Sequence, residues 1–232
     1  MLNFQQNRGD FQKMKKYLNI LRKCPLFFNI SDDDLDRMLH CLGAQVVSFD
    51  KKYTILAEGS VAKHIGILLT GEAQVVRIDY YGNRSIIENI RSGELFGEAF
   101  ACAEAESSPV SVVALEPSDV MLIDCSHILH TCSNNCEFHQ RMIFNLMKNL
   151  ATKTLSFHQK LEIISKRTTR EKLLAFLSIC AKREGSYSFE IPFDRQELAD
   201  YLEVDRSGLS AEISKLRSEG LLETTKKHFE LF

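Results

Sequence analysis

The hydrophobic pattern in the middle of the chain is that of short strands. Between residues 44 and 124, apolar or alternating runs are separated by turns around Gly59, Gly71, Gly82 and Gly93, at intervals of roughly 8 to 12 residues. Seven strands are predicted, over residues 45–49, 53–57, 65–69, 73–79, 85–90, 111–115 and 120–123. Short strands with frequent turns predict an antiparallel β-roll, similar to a jelly roll.

Helical spacing is found on both sides of the predicted roll. Before it, Ser31 is suited to cap a helix over residues 31–42, with Asp34 at the third helical position. After it, residues 137–164 contain no Pro or Gly and predict one helix about 42 Å long at 1.5 Å per residue. Such a helix is longer than a small domain needs for its own packing.

Two apolar stripes run along the long predicted helix. The first recurs near the 3.5-residue spacing of a coiled-coil seam, interrupted by Lys153 and Lys160, and consists of Ile143, Leu146, Leu150, Phe157, Leu161 and Ile164. The second is expected to pack against the roll and consists of Phe138, Met142, Phe144, Met147 and Leu155. This pattern favours a dimerisation helix, and a core helix of a monomer is the alternative.

Two capping boxes then mark the starts of further helices. Thr168 with Glu171 opens a helix that reaches about residue 182, and Asp194 with Glu197 opens a helix over 195–202. The break at residues 167–169 is a candidate hinge.

Residues 195–219 have the spacing of a helix-turn-helix, in which Asp205 is placed to cap the second helix. In that helix Leu209, Ile213 and Leu216 form one inward stripe. The opposite face is suited to close approach to base edges and carries Arg206, Ser207, Ser210, Ala211, Ser214 and Arg217. Arg206 is the best candidate for a bidentate contact to guanine.

The chain ends in a pattern typical of a β-hairpin, which would form a wing beside the helix-turn-helix. Gly220 can end the preceding helix, and residues 221–225 and 228–232 read as strands. Lys226 and Lys227 at the tip are suited to phosphate contact, which adds affinity without sequence information. A solvated turn is the alternative interpretation of these two lysines.

Composition and charge narrow the class of protein. Hydrophobic residues make up 44% of the 232 residues, and 29 Lys and Arg against 31 Asp and Glu give a net charge of -2. This balance excludes a protein that coats nucleic acid by bulk charge, but it allows a local basic surface. No apolar run approaches the roughly 18 residues of a membrane span, and residues 1–16 show no secretory signal. We therefore expect a cytoplasmic protein with reduced cysteines.

The segment 194–220 strongly resembles the winged-helix reader of the CRP/FNR superfamily of bacterial transcription regulators. Residues 91–98, Arg-Ser-Gly-Glu-Leu-Phe-Gly-Glu, resemble the signature of the family's cyclic-nucleotide-type β-roll, and residues 58–59 and 67–71 resemble its first turn and strand. The resemblance covers roughly residues 20 to 232. It implies an α+β protein with a sensing roll at 1–132, a dimerisation helix at 133–166 and a winged helix-turn-helix at 167–232.

The resemblance also implies an effector region in the roll. In members that bind cyclic AMP, an arginine neutralises the cyclic phosphate, and Ser108 falls where that arginine should be. A serine hydroxyl supplies neither the charge nor the fork of a guanidinium. We therefore expect an effector other than cyclic AMP, or none at all. The candidate effector-binding residues are Gly97, Glu98, Ser107, Ser108 and Pro109.

Three other functions are alternatives. A metal- or redox-responsive regulator is suggested by soft ligands within fifteen residues, although they contain no Cys-x2-Cys pair: Cys125, His127, His130, Cys132, Cys136 and His139. A cupin-like enzyme would need several inward His or Glu ligands, whereas the strands offer only His64, with Glu98 at a strand end. A module that binds a protein partner is disfavoured by the Arg and Ser face.

The sequence thus predicts a DNA-binding regulator rather than an enzyme, with no cofactor or resident metal. Its expected partners are a second copy of the chain, double-stranded DNA with a pseudo-palindromic operator, an unknown small-molecule effector, and RNA polymerase if it activates transcription. No membrane partner is expected. An effector would shift a population between two dimer arrangements about the hinge at 167–169.

Overall fold

A computed structural model describes residues 16–129 and 137–232. The chain forms two compact units. The first comprises the residues up to Arg77 together with Ile87–Lys153, and the second comprises Ile78–Ile86 and Thr154–Phe232. The domain boundaries predicted near residues 132 and 166 stay a prediction.

The first unit begins with short helical segments. These are α1 at Leu18–Leu21, a 3-10 turn at Pro25–Phe27 and α2 at Asp32–Cys41. The hydroxyl of Ser31 accepts a hydrogen bond from the backbone N–H of Asp34 at 3.3 Å. The predicted capped helix is therefore confirmed.

The strands form an antiparallel roll of two four-stranded sheets, ordered β1-β8-β3-β6 and β2-β7-β4-β5. In chain order the strands are β1 Gln45–Phe49, β2 Thr54–Leu56, β3 His64–Thr70, β4 Ala73–Ile78, β5 Arg84–Ile90, β6 Leu95–Phe96, β7 Ser111–Ala114 and β8 Ser118–Asp124. All seven predicted strands are confirmed to within two residues. The two-residue β6 is too short to produce a detectable pattern.

Strand β3 is buried on both of its faces. Ile65, Ile67 and Leu69 pack with the helices on one side, whereas Leu68 packs with Val120 in the interior of the roll. Because side chains alternate between the faces of a strand, a strand covered on both sides needs an almost unbroken apolar sequence. This explains the run from Ile65 to Leu69.

Two short helices accompany the strands and were not predicted. The first, α3 at Glu98–Cys102, begins after Gly97, which has a φ of 76°. The second, α4 at Cys125–Leu129, follows β8 directly. Helices of five residues span little more than one turn, so they leave almost no periodicity in the sequence.

The long helix is confirmed as α5, Glu137–Ile164. The assignment of its two stripes was partly wrong. Met142 packs in the core as predicted, but Leu146 of the predicted seam is buried there as well. Five large apolar side chains of α5 are exposed instead, and they include three that were expected to pack against the roll: Phe144, Met147, Leu155, Phe157 and Leu161. Both stripes are apolar, so periodicity alone could not show which one faces the core.

The second unit contains the remaining elements, and its sheet has the order β10-β11-β9. The elements are α6 Thr169–Glu184, β9 Ser188–Glu190, α7 Arg195–Leu202, α8 Arg206–Ser218, β10 Leu222–Thr225 and β11 His228–Leu231. Both predicted capping boxes are present, with Thr168 and Asp194 as the capping residues. The helix-turn-helix and the terminal hairpin are confirmed, and with the roll and α5 they make the predicted α+β fold.

Lys160 was predicted to interrupt an exposed seam, but it lies in the interior of the second unit. Its side chain is buried, it donates a hydrogen bond to the carbonyl of Ile86, and its ammonium lies 4.3 Å from the ring centroid of Tyr201. Within the same unit, Arg84 forms an ion pair of 3.1 Å with Asp200. These contacts attach the tip of the β4–β5 hairpin to α5 and α7.

Among the helices of the described residues, none combines the length and the hydropathy that a membrane crossing requires.

We predict that Gly66→Ala destabilises the roll. A Cβ at this position would lie 2.2 Å from the ring of Phe96, and overpacking of this kind costs about 1 to 3 kcal/mol. Urea denaturation measures the loss. In a Phe96→Leu background the same substitution should cost clearly less. Equal costs in both backgrounds would show that the ring of Phe96 is not what requires a glycine at position 66.

Candidate nucleic-acid interface and effector region

The turn of the helix-turn-helix is fixed by local backbone geometry. Glu203 ends α7 in the left-handed region with a φ of 52°, and the N–H of Val204 returns to the carbonyl of Ala199. Asp205 then caps α8, because its carboxylate accepts the N–H of Gly208 at 2.9 Å. The hydrogen bonds from the Ser207 hydroxyl and from the Gly208 amide hold the pKa of Asp205 below its ordinary value.

Helix α8 is anchored along one side and exposed along the other. Leu209, Ile213 and Leu216 are buried, as predicted. The six predicted reading residues, which we call the reading face, are all exposed: Arg206, Ser207, Ser210, Ala211, Ser214 and Arg217. The structure therefore brings them together on one surface. Their contact with DNA stays a prediction.

Several side chains of the reading face have partners within the protein. Arg217 pairs with Glu223 of the wing, with Nη2 2.9 Å from a carboxylate oxygen. Ser207 donates to Asp205, and Ser214 donates to the carbonyl of Ser210 at 3.0 Å. Arg217 therefore already has an anionic partner, with which a phosphate or a base would compete.

The wing presents two lysines in different environments. Lys226 is exposed at the hairpin tip, with a φ of 55°. The ammonium of Lys227 donates to the carbonyl of Pro192 at 2.9 Å and lies 3.9 Å from a carboxylate oxygen of Glu197. Both lysines are exposed at the tip between β10 and β11, as predicted, but the ammonium of Lys227 has partners within the protein. The ion pairs of Glu223 with Arg217 and of Glu197 with Lys227 were not predicted from the sequence. Residue spacing gives no signal for a contact between different elements.

A buried ion cluster lies at one end of the predicted effector region. Glu98 is 2% exposed, and Oε1 of Glu98 lies 2.9 Å from the ammonium of Lys153 on α5. The same ammonium is 3.1 Å from Glu88 and donates to the carbonyl of Leu95 at 2.7 Å. Lys153 was predicted only as an interruption of the seam. A lysine inside an apolar stripe was the available signal, but its partners lie on α3, β5 and β6, which are distant in the sequence.

The charges of this cluster shift two pKa values. Burial lowers the pKa of Lys153, but the attraction of Glu98 and Glu88 outweighs burial and holds the pKa above its ordinary value of 10.5. Burial raises the pKa of Glu88, and the nearby charge of Lys153 opposes that rise. The ammonium of Lys153 thus lies between two carboxyl groups, and Glu98 already has a cationic partner within the protein.

The rest of the predicted effector set lies in the connection before β7. Ser108 is buried, and its hydroxyl donates to the carbonyl of Val110 at 2.7 Å. Its backbone carbonyl accepts a hydrogen bond from the N–H of Gly59, and its own N–H donates to the carbonyl of Ser60. Ser107 and Pro109, by contrast, are exposed. The Ser108 side chain is therefore committed to its own turn. The predicted set contains no Arg or Lys that could neutralise a phosphate.

The candidate metal ligands are only partly described by the structure. His130, Cys132 and Cys136 lie outside the described residues. His127 and His139 each have a ring nitrogen near a backbone carbonyl, at 2.9 Å from Leu42 and 2.7 Å from Ile128. Within residues 16–129 and 137–232, no group of three or more His, Cys, Asp or Glu side chains could hold a metal ion.

Two domain families match the sequence in separate parts. The cyclic nucleotide-binding domain family matches residues 46–135, and the Crp-like helix-turn-helix domain family matches residues 171–231. The two matches fall on the β-roll and on the winged helix-turn-helix described above.

Individual proteins show the same similarity at low identity. The chain is 24% identical to electron transport regulator A of Shewanella oneidensis over 206 residues, covering 87% of this chain and 80% of the relative. It is 23% identical to human cGMP-dependent protein kinase 2 over 208 residues, covering 89% of this chain but only 27% of the kinase. The chain thus spans about a quarter of the kinase's length.

Among solved structures, the c-di-GMP responsive global regulator CLP of Xanthomonas campestris matches with a TM-score of 0.68. The match covers 84% of this chain and 98% of the CLP chain at 15% identity. This similarity establishes the fold.

A cyclic-nucleotide-type roll joined through a long helix to a Crp-like winged helix-turn-helix defines a class of two-part regulators. The chain belongs to that class as a member of the CRP/FNR superfamily of transcription regulators. The resemblance found in the sequence is thereby confirmed.

We predict that Lys153→Met strongly destabilises the first unit. Removing one partner of a buried ion pair costs about 3 to 5 kcal/mol, because the remaining charge is buried without compensation. Urea denaturation of Lys153→Met and of Lys148→Met, an exposed lysine on the same helix, separates this effect from a general loss of charge. A similar stability of the two variants would contradict the pairing.

The pH dependence of this contribution follows from the raised pKa of Lys153. The stabilisation is fully present below the unfolded pKa of about 10.5 and is lost as the pH rises through the higher pKa of the folded protein. The stability difference between the wild type and Lys153→Met should therefore shrink only in strongly alkaline solution.

Proposed function

We propose that the chain is a homodimeric, sequence-specific DNA-binding transcription regulator. The observation that carries the proposal is the exposed reading face of α8, whose opposite side is anchored by Leu209, Ile213 and Leu216. A helix held in this way presents its N-terminal residues to base edges in the major groove. Arg206 would make the bidentate base contact, and Lys226 would contact a phosphate.

The exposed apolar face of α5 supports a homodimer. Phe144, Met147 and Leu155 are each more than half exposed, with Phe157 and Leu161 beside them. Large apolar side chains that are exposed along a long helix are typical of a helix–helix interface. The simplest partner for such a face is the same helix of a second copy of the chain, because a twofold axis brings two identical surfaces into contact.

A twofold dimer would carry two reading faces and would therefore match a pseudo-palindromic operator. The hinge predicted at residues 167–169, at the start of α6, would be the point about which an effector changes the spacing of the two faces. RNA polymerase would be a further partner if the protein activates transcription.

The effector region supports a regulator that does not respond to cyclic AMP. Ser108 stands where the resemblance places an arginine, and its hydroxyl bonds within its own turn. Glu98 is already paired with Lys153. We infer that the roll either takes an effector other than cyclic AMP or works without one.

The proposal is tested by selection from a random pool of double-stranded DNA with the purified protein and no added effector. A titration of the enriched sequence by fluorescence anisotropy follows, with and without cyclic AMP. The expected result is a palindromic sequence bound with the same affinity in both conditions. A pool that stays random after selection would count against DNA recognition by the ligand-free protein, and a tighter complex with cyclic AMP would overturn the effector assignment.

The reading face and the wing should contribute differently to DNA binding. Arg206→Ala should weaken binding to the selected sequence by about 1 to 3 kcal/mol and relax specificity at one base pair, while Lys226→Ala should weaken all sequences alike. Anisotropy on selected and scrambled duplexes distinguishes the two effects. Equal losses on both duplexes for Arg206→Ala would show that the reading face is assigned wrongly.

The exposed face of α5 should control the oligomeric state. Leu155→Lys, and Met147→Lys in a separate variant, place charges in the proposed interface and should shift the protein from dimer to monomer in analytical ultracentrifugation. Gln159→Lys, at an exposed polar position of the same helix, is the matched control and should remain a dimer. A wild type that sediments as a monomer would refute the interface.

A further inference from the structure

Two cysteines of the first unit lie in direct contact. Cys102 is the last residue of α3 and Cys125 is the first residue of α4. Their Sγ atoms are 3.5 Å apart. A disulfide has an S–S length of about 2.05 Å, so an approach of about 1.5 Å would allow the bond to form.

The two thiols differ in their access to solvent. Cys125 is 3% exposed, whereas Cys102 is only partly buried. Cys102 is therefore the more accessible of the two residues to a dissolved oxidant, and its sulfur is in contact with that of Cys125. This arrangement of an accessible thiol beside a buried one is suited to attack by the first and resolution by the second.

We propose that Cys102 and Cys125 form a redox site that is converted to an intramolecular disulfide by low-molecular-weight disulfides. The Cys102 thiolate attacks the oxidant, so one of its sulfurs bonds to Cys102 and the other leaves as a thiolate. Cys125 then loses its proton to water and attacks the sulfur of Cys102, which releases the second thiolate. In total two protein thiols are oxidised and one small disulfide is reduced to two thiols.

The position of the pair connects it to the ion cluster. Helix α3 begins at Glu98, which pairs with Lys153 of α5, and ends at Cys102. A disulfide would draw the end of α3 toward α4 while Glu98 remains held at its start. Oxidation would thus act on the short helix whose first residue, Glu98, pairs with Lys153 of the long helix.

The environment of the thiols sets the rate of oxidation. Burial raises the pKa of Cys125 to about 12 and also raises the pKa of Cys102. Because the thiolate is the nucleophile, the reaction is slow at neutral pH. It should accelerate about tenfold for each pH unit in the range where thiolate is the minor form.

The test uses the whole 232-residue chain, reduced and then incubated under native conditions with oxidised glutathione at pH 7 and pH 9. Free thiols are blocked with iodoacetamide at several times, and peptide mass mapping identifies the linked cysteines. The variants are Cys102→Ser and Cys125→Ser, with Cys41→Ser at an exposed cysteine as the matched control. Circular dichroism of the reduced proteins verifies that each variant is folded.

We expect a Cys102–Cys125 disulfide in the wild type and in Cys41→Ser, formed about a hundredfold faster at pH 9 than at pH 7. Cys125→Ser should stop at a mixed disulfide between Cys102 and glutathione, because the resolving thiol is missing. The proposal would be overturned if the wild-type protein kept both thiols free at pH 9. It would also be overturned if peptide mapping showed a disulfide from Cys125 to Cys132 or Cys136. These readouts are chemical, so they do not depend on the proposed function.

Discussion

The long helix is held on the first unit by polar groups that are buried within an apolar surface. The side-chain amide of Asn145 donates to the carbonyls of Leu26 and Phe28 at 3.0 and 2.9 Å, and Lys153 is enclosed by Glu98 and Glu88. Apolar packing alone tolerates a helix that slides or rotates, whereas a buried polar group is costly in every position where its partner is missing. These two residues therefore fix the register and rotation of α5 on the first unit, and this rotation leaves Phe144 and Met147 exposed.

The sequence predicted those parts of the fold whose causes are local. Ser31, Thr168, Asp194 and Asp205 each cap the helix that they were expected to cap, because a cap depends on residues three positions apart. The strands were found for the same reason, since turn residues bound each of them. The short helices α3 and α4 were missed because one turn of helix has no period of its own.

What the sequence could not predict depends on residues that are distant along the chain. Leu146 and Phe144 are equally apolar, and only the position of the roll decides that the first is buried and the second exposed. Lys153 finds its carboxylates 55 and 65 residues earlier in the chain. The exposed side of α8 was predicted correctly, because the spacing of Leu209, Ile213 and Leu216 alone identifies the buried side of the helix.

The pairing of Arg217 with Glu223 gives the proposed DNA complex a built-in competitor. The carboxylate of Glu223 offers the guanidinium what a phosphate would offer, and it is always present at a short distance. When DNA displaces it, Arg217 exchanges one anionic partner for another, and the gain is smaller than for an unpaired cation. In the proposed complex, such an exchange would lower the electrostatic attraction to DNA of any sequence, because phosphate contacts carry no sequence information. An acidic side chain beside the reading face would thereby favour discrimination over affinity.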